Sequence, residues 1–151
     1  MKMSFKANMN IAMEKNDVIF GETVKTTNDN RIKLIEDAIA FIENRKFLVK
    51  IDHYEFYLIL DEAISNAMEH GNHWNLEKHV YLRILHPENN RLEIDIEDEG
   101  SGFDPDVLPE KANGMQTLSP RGRGILIIKK FCNASWSNNG KTIKMSLALQ
   151  D

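Results

Sequence analysis

The sequence has a single cysteine, Cys132, so no internal disulfide can form, and no Cys and His cluster stands at zinc-ligand spacing. A reducing, cytoplasmic setting is the resulting expectation. Long apolar runs are also missing. Met1 to Asp17 interleaves Lys2, Lys6, Glu14 and Lys15 with isolated apolar residues, which excludes an export signal or a transmembrane span in that stretch. There is no fixed-period repeat and no low-complexity segment. Nor is there an excess of positive charge: 19 basic against 23 acidic residues sum to −4, so the whole chain lacks the footprint of a nucleic-acid or anionic-membrane binder. What remains is 42% apolar and 28% charged residues in 151, the arithmetic of one ordinary globular domain. Residues 1–17 are expected to be loosely ordered, and 18–151 to form that domain.

Val18 to Lys25 reads as a strand, followed by the capping-prone run Thr-Thr-Asn-Asp-Asn, in which Asn28 is the expected helix cap. Ile32, Ile35, Ile39 and Ile42 then recur at helical spacing. A second helix is predicted from about Tyr54 to Gly71, with Tyr57, Leu60, Ile64, Ala67 and Met68 on one stripe. Val80 to Leu85 and Arg91 to Asp98 read as antiparallel strands around the turn tetrad Pro87-Glu88-Asn89-Asn90. Period-two alternation buries Leu92, Ile94 and Ile96, and by parity Asp98 points the same way. Phe103 to Pro120 has no periodicity and is expected to be a lid or binding loop. A third helix resumes over Gly124 to Phe131, and a hairpin joins Ala134 to Ser137 with Thr142 to Leu149 around Asn138-Asn139-Gly140-Lys141. The order predicts an α+β, two-layer sandwich: a mixed, mostly antiparallel sheet covered on one face by helices.

Three segments carry chemistry. Glu62 and Asn66, four apart on the second helix, lie one above the other, about opposite the apolar stripe. A carboxylate can take a proton or orient a hydroxyl, and an amide oxygen is a hard ligand suited to magnesium; a solvated polar face explains the same spacing. Asp98-Glu99-Gly100-Ser101-Gly102-Phe103 aims a carboxylate inward beside two glycines that let backbone approach a ligand, either to receive the amine of a base or as an ordinary Asp-Gly turn capping itself. Arg121-Gly122-Arg123-Gly124 opens the third helix, where free N–H groups and guanidinium groups suit phosphate oxygens; a flexible hinge with exposed arginines is the plainer alternative. Neither a P-loop nor a strand-borne G-x-G-x-x-G is present.

In this order and spacing the three segments resemble the N-, G1- and G2-boxes of the Bergerat-type ATP-binding fold shared by gyrase, heat-shock chaperones, histidine kinases and MutL-like repair proteins. Within it, the chain looks most like the bacterial anti-sigma factor serine/threonine kinases, over roughly residues 18 to 150. The seventeen residues ahead of Val18 are too few for the histidine-bearing dimerisation helix of the histidine kinases, so His53, His73, His79 and His86 are expected on the surface. The resemblance implies ATP and Mg2+ as cofactors. It implies that Glu62 is the catalytic base or positions the attacking hydroxyl, that Asn66 holds the metal bridging the phosphates, and that Asp98 bonds the adenine amine. Gly100 and Gly102 match the glycines beside base and ribose, Gly122 and Gly124 those at the phosphates, and His70 is expected near the phosphate end. The arginine that contacts the γ-phosphate in some members lies one step before Arg121, where this chain has Pro120, which leaves the role to Arg121 or Arg123.

Implied partners are a STAS-domain anti-sigma factor antagonist, as substrate, and a sigma factor that the kinase sequesters. A homodimer is implied as well, with no direct contact to nucleic acid or membrane. An alternative keeps the ATP pocket but sequesters its partner without phosphoryl transfer. The presence of Glu62 favours the kinase, since binding alone needs no base there.

Overall fold

The computed structural model describes residues 18–102 and 120–151, of Pro120 and Arg121 the backbone only. The expectations for residues 1–17 and for the lid over 103–119 lie outside the described residues. Strand β1 (Val18–Lys25) leads through helix α1 (Asn28–Asn44) and helix α2 (His53–Asn66), which runs into a π-helical turn at Ala67–Gly71. Next come the hairpin β2 (His79–Glu88) and β3 (Arg91–Glu97), then helix α3 (Pro120–Phe131) and the hairpin β4 (Asn133–Ser137) and β5 (Thr142–Ala148).

The five strands lie in the order β1-β2-β3-β5-β4, and every adjacent pair is antiparallel. The two-layer α+β expectation therefore holds, with no parallel pairing among the described strands. Two helices between β1 and β2 return the chain to start β2 antiparallel. The single helix between β3 and β4 makes those two strands parallel, but β5 inserts between them and pairs antiparallel with both.

The alternation read from the sequence fixes which face is covered. Val80, Leu82 and Ile84 of β2, Leu92, Ile94 and Ile96 of β3, and Ile143, Met145 and Leu147 of β5 are buried. They form one cluster with Leu34, Ile35, Ala38, Ile39 and Ile42 of α1, Phe56, Ile59, Leu60, Ala63 and Ile64 of α2, and Ile128 of α3. Ile32, expected on the buried stripe of α1, is 36% exposed instead, and Leu34 and Ala38 take its share of the core.

Among the boundaries that differ from the sequence pattern, four have a local cause. The cap of α1 is Thr27, one residue before Asn28: its backbone is extended (φ −138°) and its hydroxyl accepts the Asn30 N–H at 3.1 Å. α2 opens at a reciprocal box, in which Asp52 accepts the Glu55 N–H at 2.8 Å and Glu55 accepts the Asp52 N–H at 3.1 Å. β2 continues through Pro87, absorbed by a register shift between Leu85 and Glu88, so the turn shrinks to Asn89-Asn90. α3 starts at Pro120, a residue suited to the first helical position, so the Arg-Gly-Arg-Gly run is helical rather than a preceding turn. His86 is half-buried rather than on the surface; its ring stands edge-on to Phe47 with centroids 4.8 Å apart.

Candidate functional site

The polar face of α2 is not left to solvent. α3 begins directly against it: a methyl group at Gly124 would overlap Glu62 Oε1 and stand 3.4 Å from Asn66 Nδ2. A side chain at 124 would displace the Glu62 carboxylate from this position. Glu62 is half-buried, and its carboxyl is pushed above its ordinary value of 4.5, first by burial and then by the neighbouring charge of Asp61. Asp61 is tied down separately, by an ion pair to Arg31 of α1 and by the Ser65 hydroxyl, which donates to it at 3.1 Å.

After Asn66 the helix widens into a π-turn, in which the Asn72 N–H reaches back five residues to the Ala67 carbonyl at 2.8 Å. Such turns re-aim the chain beyond them and recur at functional sites. Here the turn delivers Gly71 against Asp98, so closely that a methyl group at Gly71 would overlap the Asp98 carboxylate, and one at Gly100 would overlap the Gly71 carbonyl.

Asp98 is buried, 7% exposed, as its parity predicted. Its N–H donates to the Lys141 carbonyl at 3.0 Å, and its Oδ1 accepts the Gly100 N–H at 2.8 Å. The self-capping Asp-Gly turn is therefore present, and it spends one carboxylate oxygen while the group faces a cavity. That cavity, about 20 Å³, is also lined by Asn66, Ile96, Ile125, Trp136 and Ile143. Such a volume holds little more than one water. Gly102 has a left-handed φ of +88° and is pressed on the Asn139 carbonyl. The closest neighbours of Gly100 and Gly102 are thus protein backbone, which fixes the turn's shape rather than leaving both glycines open to a ligand.

The structure therefore brings Glu62, Asn66, Asp98, Gly100 and Gly124 together. Gly122 is buried and Arg123 half-buried at the start of α3; Arg121 belongs to the same turn, its side chain outside the described residues. His70 sits on the π-turn beside Glu69, at 3.9 Å, and is not among the described residues lining the cavity. Sequence reasoning missed Trp136, Gly140 and Lys141, which the β4–β5 hairpin contributes to the wall. It also missed Asn72, a fully buried amide bonded to Thr26, His79 and Glu99. The Asn-Asn-Gly run announced a hairpin, but nothing local announced where the hairpin would land.

The donor set fits a nucleotide and a magnesium ion. The buried Asp98 carboxylate can accept from a base amine, the N–H groups of the first turn of α3 can meet phosphate oxygens, and the Asn66 amide can supply one oxygen to a cation. Among the described residues no group of three or more His, Cys, Asp and Glu could hold a metal alone. Magnesium at Asn66 would keep mostly water and phosphate oxygens, which is its ordinary coordination.

Comparison with known proteins bears on the family and the fold. The histidine kinase-like ATPase domain matches residues 27–147. An anti-sigma F factor of Priestia megaterium is 27% identical over 104 residues, 63% of this chain and 69% of that protein. The mycobacterial sensor histidine kinase MprB shares the fold at a TM-score of 0.55 and 15% identity, covering 87% of this chain and 99% of that one. No helix among the described residues is long and apolar enough to cross a membrane.

Proposed function

The chain belongs to the histidine kinase-like ATPase domain family, and from that premise we propose that it is an ATP- and magnesium-dependent serine/threonine kinase of the anti-sigma factor type. It phosphorylates a STAS-domain anti-sigma factor antagonist and sequesters a sigma factor in a partner-switching pathway. It works in the cytoplasm as a homodimer, without direct contact to nucleic acid or membrane. Its likeness to an anti-sigma F factor supports the sigma-factor half of this reading. The observation that carries the kinase half is the half-buried Glu62, one helical turn from Asn66 and packed on the start of α3.

Bound ATP supplies the γ-phosphoryl group. The protein's contribution is position and charge, as phosphoryl transfer generally requires. Glu62 orients the serine or threonine hydroxyl and takes its proton. Asn66 would hold magnesium through its amide oxygen, and the first turn of α3, with Gly122, Gly124 and Arg121 or Arg123, would receive the phosphates. Asp98 accepts from the adenine amine, beside Gly100 and Gly102. His70 is assigned to the phosphate end of the site.

Calorimetric titration with ATP, with and without magnesium, followed by phosphotransfer to STAS-domain proteins of the same genome, tests the reading. Magnesium-dependent binding with transfer to one of them is expected. Asp98→Asn should weaken ATP binding by about 1–3 kcal/mol, the cost of losing a charged acceptor in a buried bond. Binding without transfer would replace the kinase by a nucleotide-dependent sequestration module, and no binding would remove both.

A further inference from the structure

Asn72 is 0% exposed, and its amide is fully engaged. Nδ2 donates to Thr26 Oγ1 and to the His79 carbonyl, each at 2.9 Å, while Oδ1 accepts the Glu99 N–H at 2.8 Å. A carbonyl only accepts and an N–H only donates, so His79 and Glu99 together dictate which way the amide points. Thr26 is held in turn, its hydroxyl donating to the Lys78 carbonyl at 2.8 Å. One side chain thereby links the end of β1, the start of β2 and the residue between Asp98 and Gly100.

The strand ladder of β3 ends at Glu97, so the turn after it depends on other anchors. Its three successive N–H groups go to the Lys141 carbonyl, to Asn72 Oδ1 and to Asp98's own carboxylate. Of these partners, Asn72 alone is a side chain from another element. The Glu99 carboxylate adds a peripheral clasp, accepting the His79 N–H at 2.7 Å and the Tyr81 hydroxyl at 2.6 Å.

We propose that Asn72 is a positioning residue that sets the preference of the site for an adenine base, by holding the Asp98–Gly100 turn through the Glu99 N–H. This rests on the reading of Asp98 as the group that meets the base. A carboxylate distinguishes the amine of adenine from the carbonyl at the same place in guanine only while its oxygens are held still, and a supporting shell supplies that rigidity. The buried amide next to the π-turn thus acts on specificity without touching the nucleotide.

Asn72→Ala and Thr26→Val are compared with Ile42→Val, a core change that lowers stability in α1. Affinities for ATP, GTP and inorganic tripolyphosphate are measured by calorimetry, and exchange of the Glu99 and Gly100 amide protons by NMR without nucleotide. In Asn72→Ala the two amides are expected to exchange at least tenfold faster and the ATP-over-GTP ratio to fall about tenfold, the equivalent of one buried hydrogen bond. Tripolyphosphate affinity stays unchanged. Thr26→Val moves both readouts the same way by less, and carries the test if Asn72→Ala does not fold. Ile42→Val lowers Tm and moves neither. An unmoved ratio in the variants of a wild type that prefers ATP overturns the role of Asn72 alone, as does an equal loss of preference in Ile42→Val. A wild type that binds tripolyphosphate yet takes ATP and GTP equally overturns the base-binding role of Asp98, and this proposal with it.

Discussion

A carboxyl that is half-buried and beside a second acid keeps its proton to higher pH, and Glu62 meets both conditions. A base must be deprotonated to act, so phosphotransfer should fall away on the acid side at a pH above the ordinary glutamate value of 4.5. Glu62→Gln should abolish transfer and leave ATP affinity nearly intact; initial rates across pH, set beside calorimetric affinities, check both. A large loss of affinity would remove the assignment of Glu62 as base. At this scale the sequence was informative where the geometry is local. Four residues on a helix put Glu62 above Asn66, and the two-residue period of β3 turned Asp98 inward. Trp136, Lys141 and Asn72 were illegible for the opposite reason: each meets the site through a partner far away in the chain, as Asn72 meets Glu99 across 27 positions.

Helices begin where backbone and side chain agree, and the displaced starts of α1 and α3 each have a physical cause. The extended backbone and the Asn30 N–H select Thr27 over Asn28, although the three residues Thr27, Asn28 and Asp29 are all competent caps by composition. Thr27→Ala should lower stability by about 1 kcal/mol, whereas Asn28→Ala should lower it far less; urea midpoints of the two variants distinguish them. α3 began four residues earlier than its apolar pattern because Gly122 and Gly124 carry no hydrophobic signal, although Gly124 lies directly on the Glu62 carboxylate. The π-turn at Ala67–Gly71 cannot be seen in a 3.6-residue period at all, yet it decides where Gly71 meets Asp98.

For the whole molecule, the face of the sheet turned away from the helices sets the response to pH. Asp95 stands there between Arg83 of β2 and Lys144 of β5, with Glu93 and Glu97 two residues away on its own strand. It is only 4% exposed. Among the described residues its Oδ1 has no hydrogen-bond partner, and the Lys144 ammonium stays 4.0 Å from Oδ2, too far to compensate. Burial first, and Glu93 second, push its carboxyl up to about 7 from an ordinary 3.8. A raised acid pKa means that the folded state holds a proton the unfolded chain releases, so this stability is complete below pH 3.8 and is lost as the pH rises through about 7. Asp95→Asn should therefore gain roughly 1–3 kcal/mol over the wild type at pH 8, with the gap closing near pH 4, as read from denaturant midpoints at the two values.

The strand order carries a consequence for the protein's own synthesis. β5 is the last strand in sequence and the fourth in the sheet. While the nascent chain grows, β1, β2, β3 and both long helices leave the ribosome with the edge of β3 open, and Leu92, Ile94 and Ile96 lack the Leu147, Met145 and Ile143 that will lie opposite them. An apolar strand edge in that state invites pairing with any other exposed strand. The interval between the emergence of residue 97 and that of residue 148 is the time in which a bound chaperone would change the yield of folded protein most.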